Sequence, residues 1–238
     1  MMHSHRLFAA AFAFLALSAI APFPALADEG PAMGQVPAFD AWALCPWDDG
    51  ADLASKASLA ASLALPGALA LILPRDQWKT AGLAYGESLM LAFVAKDLLK
   101  AAFPRARPYA YSGVSLSSEL LDERDESFPS GHTTLAFCAA ASFAVLATRL
   151  APEAEATPWL ITGGFGLAAG TAVLRVASGS HFPSDVVAGA LLGGGIGWLV
   201  TSLCLDSGKN ARGEGSAASL AAGLGRGLGQ GLVITIPY

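Results

Sequence analysis

The chain has 238 residues, of which 54% are hydrophobic and 14% are charged, and its formal net charge is −5. This composition excludes a disordered chain, because disorder requires low hydrophobicity and high charge. It also argues against a nucleic-acid partner, since the sequence has no basic cluster that could bind a phosphate backbone. A membrane protein is favoured, and an unusually apolar soluble helical protein remains open.

The N-terminal segment, residues 1–27, has the pattern of a secretory signal. Arg6 precedes an apolar run from Leu7 to Ile20, and an Ala-x-Ala motif ends at Ala27. The alternative is an uncleaved first membrane helix, which the prolines just before the motif disfavour. On either interpretation, we expect the segment that follows to be exported.

Five apolar stretches follow the signal, at 57–73, 78–103, 133–148, 158–174 and 186–205. Several lie near the lower limit of about 17 residues for a membrane-spanning helix. Their alanine and glycine content suits close helix packing, and short connections favour antiparallel neighbours. We therefore predict an all-α fold, an antiparallel bundle of about five core helices that spans the membrane, with a soluble bundle as the alternative.

The sequence divides into four parts. A polar, exported lead-in at 28–53 follows the signal, the helical domain covers 54–205, and a Gly/Ser-rich tail at 206–238 ends in a short strand-like run. With the lead-in outside, five spans place the Lys and Arg of the short connections on the cytoplasmic side, as expected for inner-membrane proteins. We expect a bacterial inner-membrane protein whose long 100–129 connection faces the periplasm, with a soluble periplasmic protein as the alternative.

The ionisable residues of the helical domain gather at helix ends that share one face, because consecutive helices of an up-and-down bundle meet there. They are Lys100, Arg105 and Arg107, then Ser130, Gly131 and His132, and finally Arg175, His181 and Asp185. Taken singly, the cations and serines could be helix caps, or loop arginines could pair with the acidic run at 122–126. The histidines are the two of four that remain after the signal, and both flank helix starts. We therefore expect a functional site on this face.

The chemistry of these groups fits phosphoryl transfer, which depends on positioning and on stabilising charge over the phosphoryl oxygens. Lysine, arginine and the N–H groups of a helix start are suitable donors to those oxygens. A neutral histidine can attack phosphorus, and a protonated one can donate to the leaving oxygen. Asp185, four residues after His181, is within reach to fix a tautomer. A metal site formed by the histidines and this aspartate is a weaker alternative, because the convergent cations would repel the ion.

The spacing of these residues resembles the three-part signature of the phosphatidic-acid-phosphatase type 2 superfamily. The motifs are Lys100-x6-Arg107-Pro108, Phe128-Pro129-Ser130-Gly131-His132 and Arg175-x5-His181-x3-Asp185. The superfamily includes membrane lipid-phosphate phosphatases, bacterial non-specific acid phosphatases and vanadium haloperoxidases. The motifs span 100–185, and the helix layout extends the resemblance to about 54–205, so the lead-in and tail lie outside it.

The resemblance implies a role for each motif residue. His181 would be the nucleophile that forms a phosphohistidine, Asp185 would orient it, and His132 would protonate the leaving group. The phosphate would be held, without a metal or other cofactor, by Lys100, Arg107, Ser130, Gly131 and Arg175. Leu174 stands where the family usually has a serine, and Arg105 lies in the variable part of the first motif.

These features predict a metal-independent phosphatase that acts on phosphomonoesters or diphosphates, with lipid phosphates as the expected substrates. The expected partners are this phosphorylated lipid and the membrane, and no obligate protein partner is inferred. The alternatives are a soluble periplasmic non-specific acid phosphatase, a vanadium-dependent haloperoxidase and a non-enzymatic helical scaffold.

Overall fold

The computed structural model describes residues 36–71, 73–113 and 115–211, and within them it contains six α-helices and no strand. The helices are α1 (Asp49–Ala64), α2 (Arg75–Ala102), α3 (Ser118–Asp122), α4 (Gly131–Leu150), α5 (Thr157–Ala177) and α6 (Pro183–Ala211). Shorter 3₁₀ helices lie at Ala41–Ala43, Leu65–Leu71 and Pro108–Tyr111. The predicted all-α fold with five long core helices is confirmed. The predicted signal and strand-like end lie outside the described residues.

Two helices extend furthest beyond the predicted apolar stretches. The α1 helix begins at Asp49 because Asp48 caps it, with Oδ1 accepting a hydrogen bond of 2.6 Å from the amide of Ala51. Near Pro66 the chain continues as a 3₁₀ helix, since proline cannot donate to an α-helical ladder. At the other end, α6 continues to Ala211 and so includes the first residues of the predicted tail.

The α4 helix lies at the centre of the bundle, packed against α1, α2, α5 and α6. Its contact with α6 is a backbone contact, because a Cβ at Gly193 would collide with the carbonyl oxygen of Thr134 and a Cβ at Gly197 with that of Cys138. At the end of this contact, the amide of Ser130 donates to the carbonyl oxygen of Asp185 at 3.1 Å. The α4–α6 contact therefore joins the second and third sequence motifs directly.

Four segments of the described chain are long and apolar enough to cross a membrane, namely Asp49–Leu71, Gly131–Leu150, Thr157–Ala177 and Pro183–Ser207. The α2 helix does not qualify, and it contains charged side chains along its length, such as Glu87 and Lys96. Large apolar side chains on the outer surface, including Val173 and Leu191, are exposed. A membrane is the solvent in which such an outer surface is stable, so these features indicate a membrane protein.

Candidate active site

The structure brings the predicted cations and both histidines together at one end of the bundle. His181 is 1% exposed in the turn between α5 and α6, and Arg107 and Arg175 are each 3% exposed. The charges of Arg107, Arg175 and Lys100 all act on His181. Those of Arg107 and Arg175 also act on His132, in the first turn of α4. The convergence predicted from the helix ends is therefore observed.

His181 is held in one tautomer by the backbone. Its Nδ1 lies 2.7 Å from the carbonyl oxygen of Ser127, which can only accept a hydrogen bond, so Nδ1 carries the hydrogen and Nε2 has a free lone pair. Burial, followed by the charges of Arg107, Arg175 and Lys100, lowers the pKa of His181 well below its ordinary value of 6.5. The ring is therefore neutral near pH 7, which is the form in which histidine is a nucleophile.

The predicted direct contact between Asp185 and His181 is wrong. The Oδ2 atom of Asp185 accepts hydrogen bonds from the Ser127 hydroxyl at 2.6 Å and from the Phe182 amide at 2.9 Å, and Oδ1 accepts one from Arg105 at 2.5 Å. Spacing by four residues brings side chains together only within a helix, and His181 precedes the start of α6 at Pro183. Asp185 therefore reaches the histidine indirectly, through Ser127.

The two predicted phosphate-binding arginines keep part of their guanidinium groups unpaired. Nη2 of Arg107 pairs with Glu123 at 2.9 Å, and Nη1 of Arg175 pairs with Asp52 and, at 3.2 Å, with Ser55. Within the described chain, Nε and Nη1 of Arg107 and Nε of Arg175 are buried without a hydrogen-bond partner. Because buried donors are costly to leave unpaired, these three atoms point to an anionic ligand as their partner.

Lys100 lies against the start of α4. A Cβ built at Gly131 would lie 3.1 Å from Cδ of Lys96 and 4.0 Å from Cε of Lys100, so glycine allows these lysine chains to approach the helix. The first N–H groups of a helix have no partner within it, so the start of α4 offers an anion both these donors and the nearby lysines. The ammonium group of Lys100 is also paired with Glu126 at 3.2 Å.

Ser130 is not a simple N-cap of α4, because its hydroxyl bonds to a side chain and its amide to a neighbouring helix. It is fully buried, its hydroxyl shares a hydrogen bond of 2.9 Å with Thr133, and its side chain does not cap α4. Its amide donates to the carbonyl oxygen of Asp185. The N–H groups that remain for a ligand at this helix start are therefore those that follow Ser130.

Sequence reasoning missed several residues that support the site. Asp40 and Asp52 come from the N-terminal part of the chain and contact Arg105 and Arg175, respectively. Asp52 also pairs with Lys56, four residues later. In a sequence, this spacing is typical of an ordinary ion pair on a helix surface, so it gave no sign of a role in the site. Ser127 gave no signal either, because its contribution to His181 comes from its backbone carbonyl.

A family model described as the PAP2 superfamily matches residues 81–209, which is more than half of the chain. The chain belongs to the PAP2 superfamily. The predicted resemblance is confirmed, and the matched region contains all eight motif residues assigned above. Asp40 and Asp52 lie outside it.

Several known proteins resemble this PAP2 protein. A lipid A 1-phosphatase of Rhizobium etli is 37% identical over 102 residues, which are 41% of this chain and 39% of the relative. A lipid A 1-phosphatase of Porphyromonas gingivalis is 32% identical over 80 residues, 32% of this chain and 17% of the relative. The matches thus span less than half the length of these relatives. A crystal structure of a transmembrane PAP2-type phosphatidylglycerolphosphate phosphatase from Bacillus subtilis aligns with 85% of this chain and 96% of its own, at 20% identity and a TM-score of 0.39.

Proposed function

We propose that this PAP2 protein is a metal-independent phosphatase that removes phosphate from lipid phosphomonoesters or diphosphates through a phosphohistidine on His181. The observation that carries the proposal is the set of buried, unpaired N–H donors on Arg107 and Arg175 beside a neutral histidine. A phosphate group supplies the acceptors that these donors need, and its phosphorus is the electrophile that the histidine needs.

In the first step, the phosphate oxygens accept hydrogen bonds from the two arginines, from Lys100 and from the N–H groups at the start of α4. Nε2 of His181 attacks phosphorus, a P–N bond forms, and the P–O bond to the lipid breaks. His132, which takes up a proton once the anionic phosphate lies beside it, gives that proton to the leaving oxygen. The cations neutralise the charge that spreads over the equatorial oxygens, which is the main requirement of this transition state.

In the second step, water attacks the phosphohistidine. His132, now neutral, accepts a proton from the water, and the oxygen forms a bond to phosphorus. The P–N bond breaks, its electron pair returns to Nε2 of His181, and inorganic phosphate leaves. Because the hydrogen on Nδ1 stays bonded to Ser127 throughout, the nucleophile is regenerated in the same tautomer.

A lipid substrate is supported by the position of the site at one end of the apolar helices, where a headgroup can enter while acyl chains stay in the hydrocarbon. The relatives from Rhizobium etli and Porphyromonas gingivalis, both lipid A 1-phosphatases, point in the same direction. The opposite end of the bundle holds Arg75, Lys79 and Arg149, which suits a cytoplasmic location for that end and supports a periplasmic position for the site.

The test is release of inorganic phosphate by the full chain in detergent, with EDTA present, from phosphatidic acid, lipid A and p-nitrophenyl phosphate. We expect turnover of a lipid in preference to the aryl phosphate. The phosphoenzyme trapped during turnover should be labile in acid and stable in base, as the P–N bond of a phosphohistidine is. The His181→Ala variant should lose at least about a thousandfold in kcat, and Ser180→Ala, next to it, serves as the control for folding. Wild-type turnover by His181→Ala would overturn the mechanism, and equal use of all three substrates would overturn the lipid assignment.

A further inference from the structure

A buried carboxylate of the lead-in segment reaches the active site from outside the region that the family model matches. Asp40 is fully buried, and its Oδ2 accepts hydrogen bonds from Arg105 at 2.8 Å and from the Ser184 hydroxyl at 2.5 Å. Its Oδ1 accepts another from the Ser184 amide at 3.1 Å. We propose that Asp40 is a positioning residue for His181, an inference that rests on the function proposed above.

Arg105 carries the effect from Asp40 to Asp185. One terminal nitrogen of its guanidinium faces Asp40, and the other donates to Asp185 at 2.5 Å and to Ser184 at 2.7 Å. The guanidinium carbon also lies 4.3 Å from the ring centre of Phe182, which limits its movement. One cation thus joins two buried carboxylates, and its orientation depends on both.

From Asp185 the path continues to the histidine. Asp185 accepts the Ser127 hydroxyl hydrogen bond, and the Ser127 carbonyl accepts the Nδ1 hydrogen bond of His181, at 2.7 Å. The amide of Ser127 is fixed as well, because it donates to the carbonyl oxygen of Arg105 at 2.9 Å. Arg105 therefore holds Ser127 in two ways, through its own backbone and through Asp185.

The lead-in is seated against the turn that presents His181. Gly179 in this turn has a φ of 71°, and a Cβ there would lie 2.8 Å from the Pro46 carbonyl oxygen and 2.9 Å from that of Cys45. The Asp48 amide donates to the Ser178 carbonyl at 3.3 Å. The segment that carries Asp40 is thus packed on the site, so its carboxylate is kept in register with Arg105.

A positioning role predicts which kinetic constant changes. In the described chain, the side-chain bonds of Asp40 go to Arg105 and Ser184, and not to the cations assigned to the phosphate. Loss of the carboxylate leaves Arg105 with Asp185 as its one acidic partner and lets the Ser127 carbonyl drift from Nδ1. The nucleophile is then misdirected while phosphate binding is unchanged.

The experiment is a double-mutant cycle on the full chain in detergent, with phosphatidic acid and p-nitrophenyl phosphate as probes. The variants are Asp40→Asn, Arg105→Gln and the pair, with rates expressed per folded molecule. Asp40→Asn should lower kcat about 10- to 100-fold with KM within about twofold of wild type. Because Asp40 acts through Arg105, the double variant should be no slower than Arg105→Gln alone.

Asp49→Asn is the matched control, since Asp49 lies in the same region and its carboxylate bonds to Trp47 rather than to the network. Ser184→Ala covers the case in which Asp40→Asn fails to fold, because it removes a hydroxyl that bonds to both Asp40 and Arg105 without changing any charge. It should lower kcat with KM unchanged.

The proposal is overturned by additive losses in the cycle, by a rise in KM without a fall in kcat, or by wild-type kcat in Asp40→Asn or Ser184→Ala. Failure of the underlying phosphatase mechanism is recognised separately, by retention of the wild-type rate in His181→Ala.

Discussion

Nδ1 of His181 donates to the carbonyl oxygen of Ser127 across 2.7 Å, and this single bond decides which ring nitrogen can act on a substrate. A carbonyl oxygen cannot take up the ring proton, unlike a carboxylate. The tautomer is therefore fixed by the backbone of the 103–129 connection, and Asp185 contributes by holding the serine that presents this carbonyl.

The first prediction concerns the protonation of His181. Burial and the neighbouring cations lower its pKa well below 6.5, so the ring should stay neutral, with its hydrogen on Nδ1, through the pH range around 6.5 in which a free histidine titrates. Nitrogen NMR of histidine-labelled protein measures this directly, with His181→Ala used to assign the signal. A ring that titrates near pH 6.5 would contradict the prediction.

The lowered pKa of His181 also makes the stability of the fold depend on pH. In the unfolded chain His181 takes up a proton near pH 6.5, whereas in the fold it does so only at much lower pH. The unfolded state therefore binds more protons between these two values, and the contribution of this histidine to stability falls as the pH drops below 6.5. The Tm of His181→Ala should depend less on pH across this window than that of the wild type.

The second prediction separates the two groups that pair with Asp52. Asp52 and Arg175 are 5% and 3% exposed, so Asp52→Ala leaves a buried guanidinium without its acidic partner and should cost about 3 to 5 kcal/mol of stability. Lys56→Ala removes the other partner, whose side chain is 61% exposed, and should cost less than about 1 kcal/mol. Thermal unfolding in detergent compares the two variants. Equal losses of stability would show that the buried Asp52–Arg175 pair contributes no more than the exposed Asp52–Lys56 pair.

The third prediction tests the backbone contact between α4 and α6. Gly193→Ala places a methyl group against the Thr134 carbonyl and should destabilise the fold by about 1 to 3 kcal/mol or more. Gly194→Ala is the control, because a Cβ there meets nothing within 4 Å, and replacing a helical glycine should be neutral or stabilising by up to about 1 kcal/mol. The measurement is Tm, and an unchanged Tm for Gly193→Ala would refute the contact.

The fourth prediction isolates the Ser127 hydroxyl from its carbonyl. Ser127→Ala keeps the acceptor for His181 and removes the 2.6 Å bond to Asp185, so kcat should fall about tenfold while KM is unchanged. Ser112→Ala, in the same connection, is the comparison for folding. A KM effect as large as the kcat effect would instead place Ser127 in direct contact with the substrate.

The sequence predicted that His132, Arg175 and His181 converge, because they stand at helix ends in a chain with few charged groups, and the structure brings them together, while their roles stay predictions. It could not predict their supporting contacts. Asp40 and Arg105 are 65 positions apart, and the lead-in has no periodicity that would bring them together. The prediction of a direct Asp185–His181 contact was wrong for a different reason. The helix begins between these two residues, so the four-residue spacing of a helix does not apply to them.

The direct bond from the Ser130 amide to the Asp185 carbonyl, together with the glycine contact behind it, makes the ends of α4 and α6 one mechanical unit. His132 and His181 each lie within a few residues of this junction. When bilayer thickness or lateral pressure changes, the long helices can tilt or slide, but we expect the two joined ends to move together. We therefore expect the separation between the two histidines to change little when the surrounding lipid changes.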